Sequence, residues 1–243
     1  MPKAVRRKAG PRGRPAVIEK AAIREALATA FPMMLGYAAI GIPCGILSAE
    51  VGMNAVQVFL FSALFYSGVG QFMVSNMWLA GMPAASIAAS VSLISTRQVL
   101  YSASLAQFCQ GLGKGAAFLF AATVTDEGYG VNIRKFQEGG WSIGKAMAVN
   151  FLLLASWVVP TVIGALIGAV VDIPLAIASF AMTSVFIFLL VTQKLSVENA
   201  VAAAAAVVAV VAYKAAGLPG PTALVGASAG VLAAAFMMWV KGK

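Results

Sequence analysis

The chain has 243 residues, 61% of them Ala, Val, Ile, Leu, Met, Phe, Trp, Tyr or Cys, whereas soluble domains reach only ~45–50% apolar residues with glycine counted in. Charged residues make up 10% against about 25% in soluble domains, so most of the chain cannot face water and belongs in a bilayer. The net charge of +9 looks like a nucleic-acid signal, but eight of the seventeen basic residues lie in the first 24, leaving nine basic and six acidic residues beyond Glu25. No basic, aromatic-interleaved groove for nucleic acid remains.

Residues 1–30 read as a basic cytoplasmic tail, longer than a secretory n-region and followed by too many apolar segments to be one. Its last part, 15–30, has the periodicity of an amphipathic helix, with Lys20 and Arg24 placed for anionic lipid headgroups. Residues 31–243 read as a single transmembrane domain. A hydrocarbon core of ~30 Å needs about 20 apolar helical residues, and runs near that length occur at 31–49, 54–80, 84–110, 116–131, 146–171, 174–192, 198–214 and 221–240. The fold expected is all-α: a polytopic integral membrane protein of about eight (seven to eight) transmembrane helices with broken or re-entrant segments.

Charge tests the topology, because cytoplasmic loops carry the Lys/Arg excess. Eight spans with both termini inside put fourteen basic residues in the cytoplasm, only Lys114 and Lys214 outside, and Arg97 within the membrane. A re-entrant 116–131 would invert everything after it, so a full, distorted crossing is expected there.

Three segments carry the unusual polarity. In the overlong 54–80, YSGVGQF places Gly68 and Gly70 in mid-span, where glycine weakens a helix; freed backbone groups at that depth are tolerated only in protein or around a water-filled cavity. Gln71 and Ser67 would join that cavity. In 84–110, Arg97 sits at mid-bilayer, where a charge costs ~2.5–3.5 kcal/mol even on insertion scales. Tyr101 follows it one turn later and Ser90 precedes it by nearly two, so the three share a face. A structural Arg that ties helices together is the competing reading. At TVTDEGYG, Asp126 and Glu127 adjoin at a helix break; with histidine absent, side-chain proton coupling would fall on carboxylates such as these, with Glu50, Asp172 and Glu198 less central.

Further along, Gly41/Gly45, Gly164/Gly168 and Gly226/Gly230 have the spacing for close helix contact, and Pro32, Pro43 and Pro160 fall in or beside spans. Cys44 and Cys109 each lie in an apolar run, which supports neither a metal cluster nor a disulfide framework. No Walker A, Gly-x-Ser-x-Gly or His-Glu-x-x-His pattern occurs. No catalytic residue, metal ligand or cofactor is expected, and the chain reads as a non-enzyme.

Taken in order, AFPMMLGYAAIGIPCG, YSGVGQF, STRQVLYSASLA, TDEGYGV and WVVPTVIGALIG resemble the AzlC family, the large subunit of branched-chain amino acid exporters, over roughly 25–170. Where the family pattern carries Asn two residues before the Arg and His just after it, this chain has Ser95 and Gln98. The resemblance implies a multi-pass protein of a bacterial-type cytoplasmic membrane that exports leucine, isoleucine, valine or methionine. It also implies a small AzlD-type membrane partner and drive by the proton motive force. On that reading Arg97, with amides near Gly68 and Gly70, engages the substrate carboxylate. Asp126 or Glu127 takes the ammonium group or the coupling proton, and Gln71, Tyr101 and Phe72 shape an aliphatic pocket. An uncoupled channel or a permease subunit for another small zwitterion is the alternative.

Overall fold

The computed structural model describes residues 20–171, 180, 183–184, 187, 196–217 and 222–241. The tail before Lys20, Asp172, Lys194, most of the expected span 174–192 and the side chain of Glu198 lie outside the described residues. Within them the chain is helical: α1 Lys20–Glu50, α2 Ala55–Leu64, α3 Gly68–Leu79, α4 Ala84–Leu105, α5 Lys114–Ala122, α6 Asp126–Glu138, α7 Ile143–Gly168, α8 Val197–Ala215 and α9 Thr222–Lys241. α1 and α7 are each long and apolar enough to cross a membrane. α1 continues from the interfacial segment through Pro32 and Pro43, and α7 through Pro160, without interruption.

Two compact units divide the chain: a first of 1–37 and 98–157, and a second of 38–97 and 158–243. In the second unit the overlong segment 54–80 is broken, as its length requires, into α2 and α3. At ten and twelve residues these extend about 15 and 18 Å, half a bilayer each. They do not continue in one line. The Ser62 hydroxyl lies 3.3 Å from Gln71 Oε1, although nine helical residues would carry the chain about 13 Å. Phe61, Phe65, Val74 and Trp78 also line one apolar groove of about 330 Å³ together with Ile87 and Val91 of α4. α2 and α3 are therefore the arms of a helical hairpin. Asn54 starts it with a reciprocal cap on Gln57, satisfying two donors that the first helical turn leaves open.

The first unit holds a second hairpin where a full crossing of 116–131 is expected from charge. Asn150 of α7 donates to the Phe120 carbonyl at the end of α5 and accepts from Asn132 of α6, residues that a straight helix would hold about 18 Å apart. Ser102 of α4 reaches the Ala121 carbonyl, while two residues on Ser104 meets the Tyr129 hydroxyl, and Phe108 stacks on Phe136. α6 thus runs alongside α4 in the same direction and α5 runs against it. The physical reason is local: a Thr-Val-Thr sequence ends α5 after nine residues, and its hydroxyls supply the hydrogen bonds that a sharp reversal leaves unmade.

Packing of the long helices follows the glycine spacing. In the second unit, Gly45 and Gly164 bring α1 and α7 into backbone contact, since a Cβ on Gly45 would stand 1.9 Å from the Thr161 carbonyl oxygen and one on Gly164 2.1 Å from that of Ile42. Gly226 and Gly230 do the same less tightly for α9 against Val210, Ala206 and Ala202 of α8. In the first unit Lys145 of α7 pairs with Glu25 of α1, and Trp141 lies under the ammonium groups of Lys135 and Lys145.

Candidate functional site

Each hairpin turns on a polar tip built by the same local device. In the second unit Ser67 caps α3, its hydroxyl accepting from the Gly70 amide at 3.2 Å. The chain break leaves the Phe65 carbonyl without a place in a helical ladder, and the Gln71 side-chain amide donates to it at 2.7 Å. Gln71 Oε1 in turn accepts from Cys44 of α1 at 3.6 Å and from Ser62 at 3.3 Å. Ser62 also lies 3.0 Å from Thr161 of α7. Gln71, Ser62 and Thr161 are all fully buried, so an apolar interior closes over an internally satisfied network, the condition under which buried polar groups cost little. The Ser75 hydroxyl, buried on α3, has no hydrogen-bond partner among the described residues.

In the first unit Thr125 caps α6 and accepts from the Gly128 amide at 3.2 Å. Asp126 and Glu127 occupy the first turn, where the positive end of the helix dipole favours carboxylates. The Tyr37 hydroxyl of α1 lies 2.9 Å from Thr125 Oγ1 and 2.6 Å from Glu127 Oε2, and its ring packs edge-on against Trp157 of α7. Behind the tip, Asn150 donates to Phe120 O and Thr123 Oγ1 and accepts from Asn132, whose own oxygen accepts from the Trp141 indole. Both the amide nitrogen and the carbonyl oxygen of Asn150 are engaged, which ties the hairpin to α7.

The structure distributes the predicted residues over both units. Gly68 is the first residue of α3 and the break falls just before it, at Phe65–Ser67. A Cβ at Gly70 would lie 2.5 Å from the Phe65 ring, so any larger residue there must displace that ring. Gln71 and Phe72 are buried at the same tip. Arg97 is half-buried on α4 in the second unit, and Tyr101, one turn later on the same helix, is stacked on Tyr129 in the first. Asp126 and Glu127 stand at the first-unit tip. Sequence reasoning missed Tyr37, Asn132 and Asn150. A signal for Asn150 existed: it is the single polar residue in the run AMAVNFLLLA.

These elements coincide with a known family. The AzlC family ("AzlC protein") matches residues 32–171, which contain both hairpins and most of α1 and α7. Among curated relatives, the inner membrane protein YgaZ of Escherichia coli strain K12 is 29% identical over 152 residues, 61% of this chain and 62% of that protein. The branched-chain amino acid transport protein AzlC of Bacillus subtilis strain 168 is 24% identical over 177 residues, 71% of this chain and 68% of that one. A membrane protein of Haemophilus influenzae is 28% identical over 161 residues, 64% of each. The chain thus spans less than two thirds of the length of YgaZ and of the Haemophilus protein. No solved structure matches. With a match that extends over more than half of its length, the chain belongs to the AzlC family.

Proposed function

We propose that this protein is the large subunit of a secondary transporter that exports hydrophobic amino acids (leucine, isoleucine, valine, also methionine) across the cytoplasmic membrane. It draws on the proton motive force and works with a small AzlD-type membrane subunit. One observation supports this above all: two half-bilayer hairpins, each with a buried polar tip. Discontinuous helices of this kind are how many secondary transporters offer helix N-termini and backbone groups to a small polar solute. Family membership supports the transport class, and the Bacillus relative's name, a branched-chain amino acid transport protein, supports the substrate class. Arg97 and the amides at Gly68 and Gly70 engage the substrate carboxylate. Phe72 borders the aliphatic group and Gln71 holds that tip in shape, while in the first unit Asp126 or Glu127 receives the coupling proton.

The hairpins change the proposed topology. If neither 54–80 nor 114–138 crosses, the chain makes six crossings, by α1, α4, α7, 174–192, α8 and α9, and parity is kept because two segments are re-entrant rather than one. Both termini remain cytoplasmic. Lys114 moves inside, giving fifteen basic residues in the cytoplasm, with Lys214 alone outside and Arg97 within the membrane, a stronger bias than eight crossings provide. In a cysteine-free background, Lys114→Cys is expected to react with an impermeant maleimide in inside-out vesicles and to be protected in intact cells. Labelling of intact cells would restore the crossing at 116–131.

Transport itself is tested by counterflow. Proteoliposomes holding the chain, with its companion subunit if one is encoded nearby, and preloaded with unlabelled leucine are expected to accumulate labelled leucine above the outside concentration transiently. A pore, for which two polar tips would also serve, gives simple equilibration, and that result would replace the carrier by a channel.

A further inference from the structure

We propose that Glu127 is the proton site of this carrier and that Tyr37 is its positioning residue, acting through a hydrogen-bond relay that stays complete in both protonation states. The inference rests on the transporter reading above and deepens it, choosing between two adjacent carboxylates and adding a residue from α1. The geometry carries it. The Tyr37 hydroxyl, with its one proton, lies 2.6 Å from Glu127 Oε2 and 2.9 Å from Thr125 Oγ1. While Glu127 is ionised it can only accept, so Tyr37 donates to it and Thr125 donates to Tyr37. When Glu127 takes up one proton it becomes a donor: its O–H turns to the Tyr37 oxygen and the Tyr37 hydroxyl turns to Thr125. Both contacts survive, one proton is gained at Glu127, and only hydroxyl rotors have moved. Thr125 keeps its cap on Gly128 throughout.

A carboxylate held only for structure has no need of a partner that serves equally as donor and acceptor. An arginine or a backbone amide would hold the anion alone, and a carbonyl the acid alone. A tyrosine wedged against Trp157 and itself almost fully buried keeps its oxygen in place while the direction of the relay reverses. Among the described residues the ionisable groups around this tip are few. α1 presents Tyr37; α6 itself carries Asp126 beside Glu127 and Tyr129 two residues on, stacked on Tyr101 of α4. Arg97 precedes Tyr101 by one turn of α4. α7 brings Trp157 and Asn150, which do not titrate. Lys114 stands at the far end of α5, Arg134, Lys135 and Glu138 at the far end of α6, and the Glu25–Lys145 pair twelve residues back from Tyr37, about 18 Å along α1.

The test reads the carboxyl directly and transport separately, on the full chain in lipid. Infrared titration of the native protein is expected to show a protonated-carboxyl band that is missing in Glu127→Gln. In Tyr37→Phe, which keeps the ring on Trp157 and removes only the hydroxyl, the protonated carboxyl loses its hydrogen-bond acceptor, so the band is expected at a higher wavenumber than in the native protein. The response of net leucine export to an imposed pH gradient should be lost in Glu127→Gln. A band retained in Glu127→Gln, or a band at the same wavenumber in native and Tyr37→Phe proteins, overturns the relay even where leucine counterflow is robust. Absent counterflow with the band shifts intact sinks the leucine-carrier reading instead and leaves the proton site standing.

Discussion

Replacing Arg97 by Gln is expected to lower leucine transport at subsaturating substrate by more than about a hundredfold while the protein still inserts and runs as a sharp peak in size exclusion. Arg97 lies on α4, half-buried, in a chain with nine basic residues beyond Glu25, and a guanidinium there would meet an incoming carboxylate in a medium where water screens little. Breaking a desolvated charge pair by removing one partner costs ~3–5 kcal/mol, and each ~1.4 kcal/mol is tenfold. Arg97→Lys separates a substrate role from a structural one. Lysine keeps the charge but not the planar fork that grips a carboxylate in two places, so a substrate-binding Arg97 predicts a raised KM for leucine with much of the maximal rate kept. Transport by Arg97→Gln at the parental rate would remove Arg97 from the site, and a variant that aggregates while Arg97→Lys transports with native KM would make it a structural tie.

How far the sequence reveals this architecture depends on the range of the interaction involved. That 54–80 must break is legible, because 27 residues exceed the bilayer and two glycines mark the middle. The break falls a few residues earlier than the glycines because Ser67, a better cap than either, starts α3. Whether a broken segment crosses or turns back is a different kind of question, since it is decided by where the arms dock. Ser62 on Thr161 and Asn150 on Phe120 are contacts across 99 and 30 residues, beyond the reach of local pattern. Charge counting does not decide it, for a related reason: two re-entrant segments would cancel in parity, so the charge bias after the second would be the same as for two crossings, and only Lys114 between them would tell the difference. Asp126 and Glu127 were legible as anomalies because charge is rare in this chain. Tyr37 was not, because one tyrosine in an apolar helix means nothing until the residue 90 positions away that it touches is known.

The largest effect on stability is expected from the glycines between α1 and α7. Gly164→Ala places a methyl group 2.1 Å from the Ile42 carbonyl oxygen, and Gly45→Ala places one 1.9 Å from that of Thr161. Both obstacles are backbone, with no rotamer that yields, so the helices must part by more than about an ångström to restore van der Waals distance. The same two helices carry Cys44 and Thr161, whose contacts reach Gln71 directly or through Ser62, so separating them also pulls at the network that holds the α2–α3 tip. Overpacking costs ~1–3 kcal/mol and each buried polar group left unsatisfied another ~1–3, so about 3–5 kcal/mol is expected, a drop of roughly 10 °C in the unfolding midpoint for a chain of this size. Gly36→Ala, on α1 with nothing within 4 Å of the new methyl, provides the control: alanine is the better helix former by ~1 kcal/mol, so the midpoint should hold or rise. Equal midpoints for Gly164→Ala and Gly36→Ala in detergent would mean that α1 and α7 are not in backbone contact. The docking of the α2–α3 hairpin on them would then need another basis.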